Sequence, residues 1–328
     1  MLNYSTQLNV IDLLAPNQSG PQAIWLNRVG HFLRQVLMAV FLALTCAVPV
    51  MAASIQLPAI VEPASQEHHI GKLVLVELVT PDLAASKKFY GGLFGWTFRD
   101  IQADGIEYAE ALLDGHSVAG LIHKNAPSSE HRRPKWLSFF AVGDVDAAKK
   151  VAVENGAKVL FEPHSIPERG REAVFSDPQG AVFVVLASSS GDPPDVLAEP
   201  GEWIWSSLIT NDPDAAAAFY QKLFDYEVFE LPARDGAKHL LLASDNYARA
   251  SVNTLSADKP KAHPHWLSYI RVEDAVKMTE KVVALGGRVL VSPRIDRHGG
   301  KVAVVADPLG APFGLLEWSD TESKEVPK

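Results

Sequence analysis

Cysteine is almost missing from this chain: its 328 residues contain one, Cys46, which stands ahead of every segment that reads as folded. That count excludes intramolecular disulfides, a cysteine nucleophile and thiolate-ligated zinc from the body of the protein. Clustered positive charge is missing too. Lys and Arg number 30 against 39 Asp and Glu, a formal net charge of -9, and no basic stripe offers the phosphate neutralisation that nucleic acid requires. No G-x-x-x-x-G-K loop occurs, and Gly91-Gly92 and Gly299-Gly300 read as turns rather than phosphate cradles. What is present is a hydrophobic content of 47% with 21% charged residues, which suits folded domains with sizeable cores.

From Thr80 onward the chain repeats itself at a shift of 130 residues. Thr80-x-Asp82 returns as Thr210-x-Asp212, and Phe89-Tyr90-x-x-Leu93-Phe94 as Phe219-Tyr220-x-x-Leu223-Phe224. Trp136-Leu137-Ser138 returns as Trp266-Leu267-Ser268, and Asp177-Pro178-x-Gly180 as Asp307-Pro308-x-Gly310. One register held from Thr80 to Gly180 means two copies of one domain, with function inside the unit or between the copies.

Within each copy the hydrophobic period changes in a regular order. Residues 72–79 are β-rich and end at Pro81-Asp82, after which Asp82 caps an amphipathic helix over 83–94. Short strands follow around 97–101, 107–113 and 118–123, with Asp114-Gly115 as a hairpin turn. The order then restarts: a strand over 136–142, a helix opened by Asp144 and closed by Gly156, and strands at 159–160, 172–175 and 181–186. Asp177-Pro178-Gln179-Gly180 turns the last hairpin. Each domain reads as two βαβββ modules, and Tyr90 and Tyr220 fall on the apolar stripes of their helices as core residues.

Four such modules, with a D-P-x-G turn before each domain's last strand, resemble the vicinal oxygen chelate superfamily of glyoxalase I, extradiol dioxygenases and bleomycin-resistance proteins. The strings Phe89-Tyr90-Gly91-Gly92-Leu93-Phe94-Gly95-Trp96 and Trp136-Leu137-Ser138-Phe139-Phe140-Ala141-Val142-Gly143-Asp144-Val145 are similar to its tandem-domain, glyoxalase-like bacterial branch. The resemblance implies an α+β fold of two tandem domains, 70–188 and 201–318, joined by a linker over 189–200 and followed by a tail over 319–328. Each domain is then a pair of βαβββ modules forming a curved mixed sheet around a cleft.

The resemblance also implies where a metal would be held: on each module's first strand, seven residues before the helix-starting Asp, and on each domain's last strand, seven after the Asp of the turn. Those positions are Leu75, Leu137 and Val184 in the first copy, and Trp205, Leu267 and Gly314 in the second. None carries a lone pair suited to a divalent cation. No metal or other cofactor is therefore expected, a divalent metal held by some shifted ligand set being the alternative.

Strand alternation sets the candidate site residues. In the first cleft it turns Leu75 and Glu77 inward with Leu137, Phe139 and Val184. In the second it turns Trp205 and Ser207 inward with Leu267, Tyr269 and Arg271. Apolar walls with a few polar groups suit a small, partly apolar ligand. Glu77 is the candidate general base, because burial would raise its pKa; the competing reading is a strand-end acid that reaches solvent or pairs with a Lys or Arg. The histidines, including His263 and His265, show no ligand spacing. The reading that follows is an exported binding protein for a small molecule. A glyoxalase-like lyase, isomerase or dioxygenase and a protein-interaction module are the alternatives, and a homodimer is compatible with each.

The start of the chain is a different kind of sequence. From Gln35 to Val61 no side chain is charged; Arg28 and Arg34 precede the apolar run, and Val50-Met51-Ala52 suits signal peptidase. Residues 35–53 therefore read as a signal peptide, after a leader over 1–34 and before a linker over 54–69 marked by Pro58, Pro63 and Ser65. The expected location is periplasmic or secreted; the alternative is a membrane anchor over 35–53, the only membrane contact envisaged, since the run approaches the ~18–20 residues of a spanning helix. Intact-mass measurement of the exported protein is expected to place its N-terminus at Ala53 or Ser54. A membrane-bound form that retains residues 35–53 would establish the anchor instead.

Overall fold

A computed structural model describes residues 56–103, 106–124, 134–232, 237–255, 263–296 and 299–318. The leader, the signal-like run and the C-terminal tail lie outside the described residues. Among the described residues no helix is long and apolar enough to cross a membrane.

The first repeat runs β1 (Leu73–Thr80), α1 (Leu83–Phe94), β2 (Thr97–Ala103), β3 (Ile106–Leu113), β4 (His116–His123), β5 (Lys135–Ala141), α2 (Val145–Glu154), β6 (Lys158–Ile166), β7 (Gly170–Ser176) and β8 (Val182–Ser188). The second runs β9 (Trp203–Thr210), α3 (Pro213–Phe224), β10 (Glu227–Leu231), β11 (His239–Ser244), β12 (Tyr247–Thr254), β13 (His265–Val272), α4 (Ala275–Ala284), β14 (Arg288–Ile295), β15 (Lys301–Ala306) and β16 (Pro312–Glu317). Each repeat closes one mixed sheet of eight strands, ordered β2-β3-β4-β1-β5-β8-β7-β6 and β10-β11-β12-β9-β13-β16-β15-β14. The α+β fold of two tandem vicinal-oxygen-chelate domains is thus present, with both βαβββ modules of each domain in one sheet.

All four helices start alike. Asp82, Asp144, Asp212 and Asp274 accept the first free backbone N–H groups through their carboxylates. Each supplies the N-cap bond that the opening turn cannot make internally. The half-repeat in the sequence is the recurrence of this cap.

The core lies between the two sheets rather than inside either domain. One cluster joins Phe140, Phe175, Phe183 and Val185 of the first domain to Phe219, Tyr220, Phe224 and Trp266 of the second. The other joins Val76, Leu78, Phe89 and Tyr90 to Ile270, Val305, Phe313 and Leu315. Each core is therefore half of one domain packed on half of the other, and the opposite faces of the sheets are left for other work.

Two matching polar relays cross this packing. Trp136 Nε1 donates to the Tyr90 hydroxyl (3.0 Å), which donates to Asp307 Oδ2 of the other domain (3.2 Å). Reciprocally, Trp266 Nε1 donates to the Tyr220 hydroxyl (2.9 Å), which donates to Asp177 Oδ2 (3.0 Å). The remaining oxygen of each aspartate takes backbone N–H groups of its own turn: Gln179 and Ala181 for Asp177, and Leu309, Gly310 and Ala311 for Asp307. Ser138 and Ser268, equivalent residues of the two copies, touch through their hydroxyls at 3.0 Å, which marks the pseudo-twofold axis. The repeated Phe-Tyr, Trp-Leu-Ser and Asp-Pro-x-Gly strings are thus the two sides of one interface.

The stretch over 56–69, expected to be a linker, is not a spacer. It forms no helix or strand, yet Leu57 and Ile60 are packed against the first domain's concave face. Replacing Tyr90 by Phe strips a partner from both Trp136 Nε1 and Asp307 Oδ2 inside the core, at a cost of ~2 kcal/mol. A chain of this size should then melt about 4–8 °C lower. Tyr220→Phe should match it, and a loss no larger than for exposed Tyr247→Phe would remove the relays from the account.

Candidate functional site

The two concave faces are built differently. In the first, Glu77 on β1 is 8% exposed and forms an ion pair with Arg169 from the β6–β7 turn. The Tyr108 hydroxyl donates to Glu77 Oε1 (2.9 Å) and accepts from Arg169 Nη2 (2.9 Å). Burial pushes the Glu77 carboxyl above its usual range, and the guanidinium draws it back. Glu77 is not available as a general base: it is the counter-ion of a buried arginine, which is the competing reading of this residue. Gly120, its neighbour on β4, carries no side chain because a Cβ there would lie 2.1 Å from the Tyr108 hydroxyl and 2.6 Å from Glu77 Oε1.

The other residues expected to line this cleft are present but largely covered. Phe139 and Val184 are buried in a cluster with Val74, Ala141 and Leu186, against which Leu75, Leu137 and Ile60 pack. Leu75 and Leu137 are partly exposed, and Leu75 borders the trough that opens on the second face. Much of the first cleft's floor is thus covered by protein, Ile60 included.

The second face is open. Trp205, Ser207, Leu267 and Tyr269 line a trough of about 3430 Å³ that continues along the interdomain segment to the rim of the first domain. A small-molecule site usually occupies ~300–1,000 Å³, so a ligand would fill only part of it. The apolar wall consists of Leu267, Tyr269 and Leu316 with Ile204, Trp205, Val302 and Val304. Arg271, the fifth expected residue, does not line the trough. Its guanidinium donates to the carbonyls of Ala198 (2.8 Å) and Trp318 (3.3 Å), holding the interdomain segment in place. Alternation along β13 is intact, with Ser268, Ile270 and Val272 buried on the opposite face, so it is capture by these carbonyls at the strand's end, not a change of face, that keeps Arg271 off the trough.

Across this wall runs a hydrogen-bonded ladder. His239 Nδ1 meets Asn253 Oδ1 (2.8 Å), and Asn253 Nδ2 donates to Ser251 Oγ (3.3 Å). Trp205 Nε1 donates to the same oxygen (3.1 Å), and Ser251 and Ser207 share a bond of 2.8 Å. Two donors already occupy the Ser251 oxygen, so its own proton goes to Ser207, which pairs with Leu267, two residues along β13 from Tyr269. Burial raises the Tyr269 phenol's pKa, with the Ser207 hydroxyl opposing, so it stays protonated. The ladder therefore runs in one direction as far as Ser207, with the protonated Tyr269 phenol as a further donor on the same wall.

His239, Ser251 and Asn253 went unassigned in the sequence, as did Tyr108 and Arg169. The signal for three of them was there: Ser251 lies beside Ser207, and Asn253 beside His239, in the strand register. Carrying the alternation from the first strand to the fourth finds them. Arg169 has only a difference to mark it, since the position 130 residues on is Gly299.

The residues at the six metal-holding positions do not fit a divalent cation. Leu75 and Val184 each pair with Phe139 of β5, hydrocarbon on both sides, and Leu137 of β5 is hydrocarbon as well. At Gly314, where the closing carboxylate would stand, a Cβ would fall 1.9 Å from the Tyr269 ring. The aromatic ring fills that space. Among the described residues no three His, Cys, Asp or Glu side chains stand close enough to share an ion.

Residues 68–185 and 204–315 each match the family model described as Glyoxalase/Bleomycin resistance protein/Dioxygenase superfamily. The chain is 31% identical over 258 residues to CFP32 of Mycobacterium tuberculosis, provisionally named a glyoxylase, covering 78% of this chain and 98% of that protein. It is 31% identical over 256 residues to the anthracycline biosynthesis protein DnrV of Streptomyces peucetius, covering 74% and 91%. The Mn(II)-bound glyoxalase of Novosphingobium aromaticivorans shares the fold with a TM-score of 0.54 at 17% identity, over 76% of this chain and 83% of that one. A variant of homoprotocatechuate 2,3-dioxygenase from B. fuscum does so with a TM-score of 0.57 at 15% identity, over 82% and 77%.

Arg169→Ala should destabilise the protein by ~3–5 kcal/mol in urea denaturation, because it strands a buried carboxylate. Glu77→Gln, which keeps the shape and removes the charge, should cost less. Equal and small losses for both would return Glu77 to the pool of free acids.

Proposed function

The chain belongs to the glyoxalase/bleomycin resistance protein/dioxygenase superfamily, and on that footing we propose that it binds a small, partly apolar aromatic molecule in the concave face of its second domain. The observation that carries this reading is the open wall of Trp205, Leu267 and Tyr269, with the Tyr269 phenol and a hydroxyl ladder ending at Ser207 set beside it. A planar ring system would lie on that wall, and a ketone or other acceptor oxygen on it would take the phenol proton. Aromatic rings supply the bulk of such contact energy, while a single outgoing donor fixes orientation. The relatives named for anthracycline biosynthesis support a fused-ring aromatic ketone as the ligand class. No metal takes part in this reading. The export expected from residues 35–53 belongs to the same proposal, and would place binding outside the cytoplasm.

A second reading is favoured by one observation, the match to nearly the whole of a protein named as a glyoxylase. In it the same cleft turns over a small carbonyl adduct. Assays with methylglyoxal adducts, with and without added Mn(II), Fe(II) or Zn(II), separate the two. Turnover that depends on Tyr269 would favour the enzyme.

Calorimetric titration with a hydroxylated anthraquinone, against the parent hydrocarbon anthracene, tests the binding proposal. The quinone is expected to bind at one site per chain. Tyr269→Phe should weaken it about 2- to 12-fold, the worth of one hydrogen bond. Trp205→Ala should weaken it more, through lost ring contact. Equal affinity for quinone and hydrocarbon, or indifference to both substitutions, would sink the proposal.

A further inference from the structure

The first domain's concave face already holds something: a stretch of its own chain. Leu57 is 7% exposed and packs among Tyr108, Ile166, Ile101 and Ile122. Ile60, three residues on, packs on the floor made by Phe139, Val184 and Leu186. Between these anchors Arg169 Nε donates to the Pro58 carbonyl (3.4 Å), so the guanidinium that neutralises Glu77 also clasps the segment. Past them, the Val61 N–H donates to Ser190 Oγ (3.0 Å) and the Ser65 N–H to the Ser190 carbonyl (2.9 Å). Gly191, at φ +86°, passes so close that a Cβ there would lie 2.5 Å from Ser65 Oγ. Two side-chain anchors, one clasped carbonyl and no helix or sheet of its own make this segment resemble a peptide bound through its side chains. Prolines at 58 and 63 lower the entropy that ordering it costs.

We propose that the concave face of the first domain is a binding site for an extended apolar peptide of the pattern Leu-Pro-x-Ile, filled in cis by residues 57–60. Among the described residues the second domain shows no such clasp, and Gly299 stands where the first has Arg169. Small molecules are thereby confined to one cleft per chain. This inference stands whether or not the second cleft proves to bind an aromatic ketone.

The test inserts a specific protease site between Gln66 and Glu67 of the full chain, so that the segment can be severed after folding. The cut N-terminal fragment is expected to co-elute with the body of the protein at micromolar concentration. Over a day, an excess of synthetic peptide spanning residues 56–66 should displace it. A second arm uses the uncut Leu57→Asp/Ile60→Asp double variant and a fluorescent copy of that peptide. The variant should bind the peptide about 100-fold more tightly than the parent chain, whose tethered segment competes at an effective concentration of order millimolar. A fragment that leaves on cutting, or that no excess peptide displaces, overturns the proposal. So does a folded double variant that ignores the peptide; if the variant does not fold, the cutting arm decides.

Discussion

A phenol buried between two sheets needs partners, and here each of the two tyrosines finds one on the far side of the molecule. Tyr90 and Tyr220 are fully buried, each taking a proton from a tryptophan of its own domain and giving one to an aspartate of the other. Burial raises the pKa of both aspartates, while the backbone N–H groups of their turns pull the other way. The Asp-Pro-x-Gly turn is what presents those N–H groups. Around this pair of relays the helices and inner sheet faces collapse into two cores, each assembled from both copies. The concave faces are outward as a consequence, and neither copy has a complete core by itself.

Sharing one interface did not keep the two outward faces alike. The first pairs Glu77 with Tyr108 and Arg169, and the neighbouring strand must then carry Gly120. At the matching register the second has Ser207, and beside it there is room for Ser251. Where the first has Phe139 against Val184, the second has Tyr269 over Gly314. In each case volume added on one strand is removed on the next, as close packing demands. The outcome is one face with a buried charge and a strap across it, and another with a neutral hydroxyl ladder open to solvent. In both, the places where the family's chelating side chains would stand hold hydrocarbon, an aromatic ring or no side chain.

The repeat, its register and the order of elements within it were legible from residues alone, because local chemistry sets them: a capping Asp, a period of 3.6 or 2, a Pro-x-Gly turn. So were the inward positions of Trp205, Ser207, Leu267 and Tyr269, which follow from strand alternation. The strap, the role of Arg169 and the displacement of Arg271 were not. They depend on the Ala198 and Trp318 carbonyls that capture Arg271, on an arginine reaching Glu77 across 92 positions of chain, and on a proline-marked segment whose side-chain anchors meet residues far off in sequence. Periodicity reports what neighbours along the chain do together. Which cleft is covered and which is open was decided only when the tertiary fold brought side chains from separate elements into one space, where charge must be paired and volume must be filled.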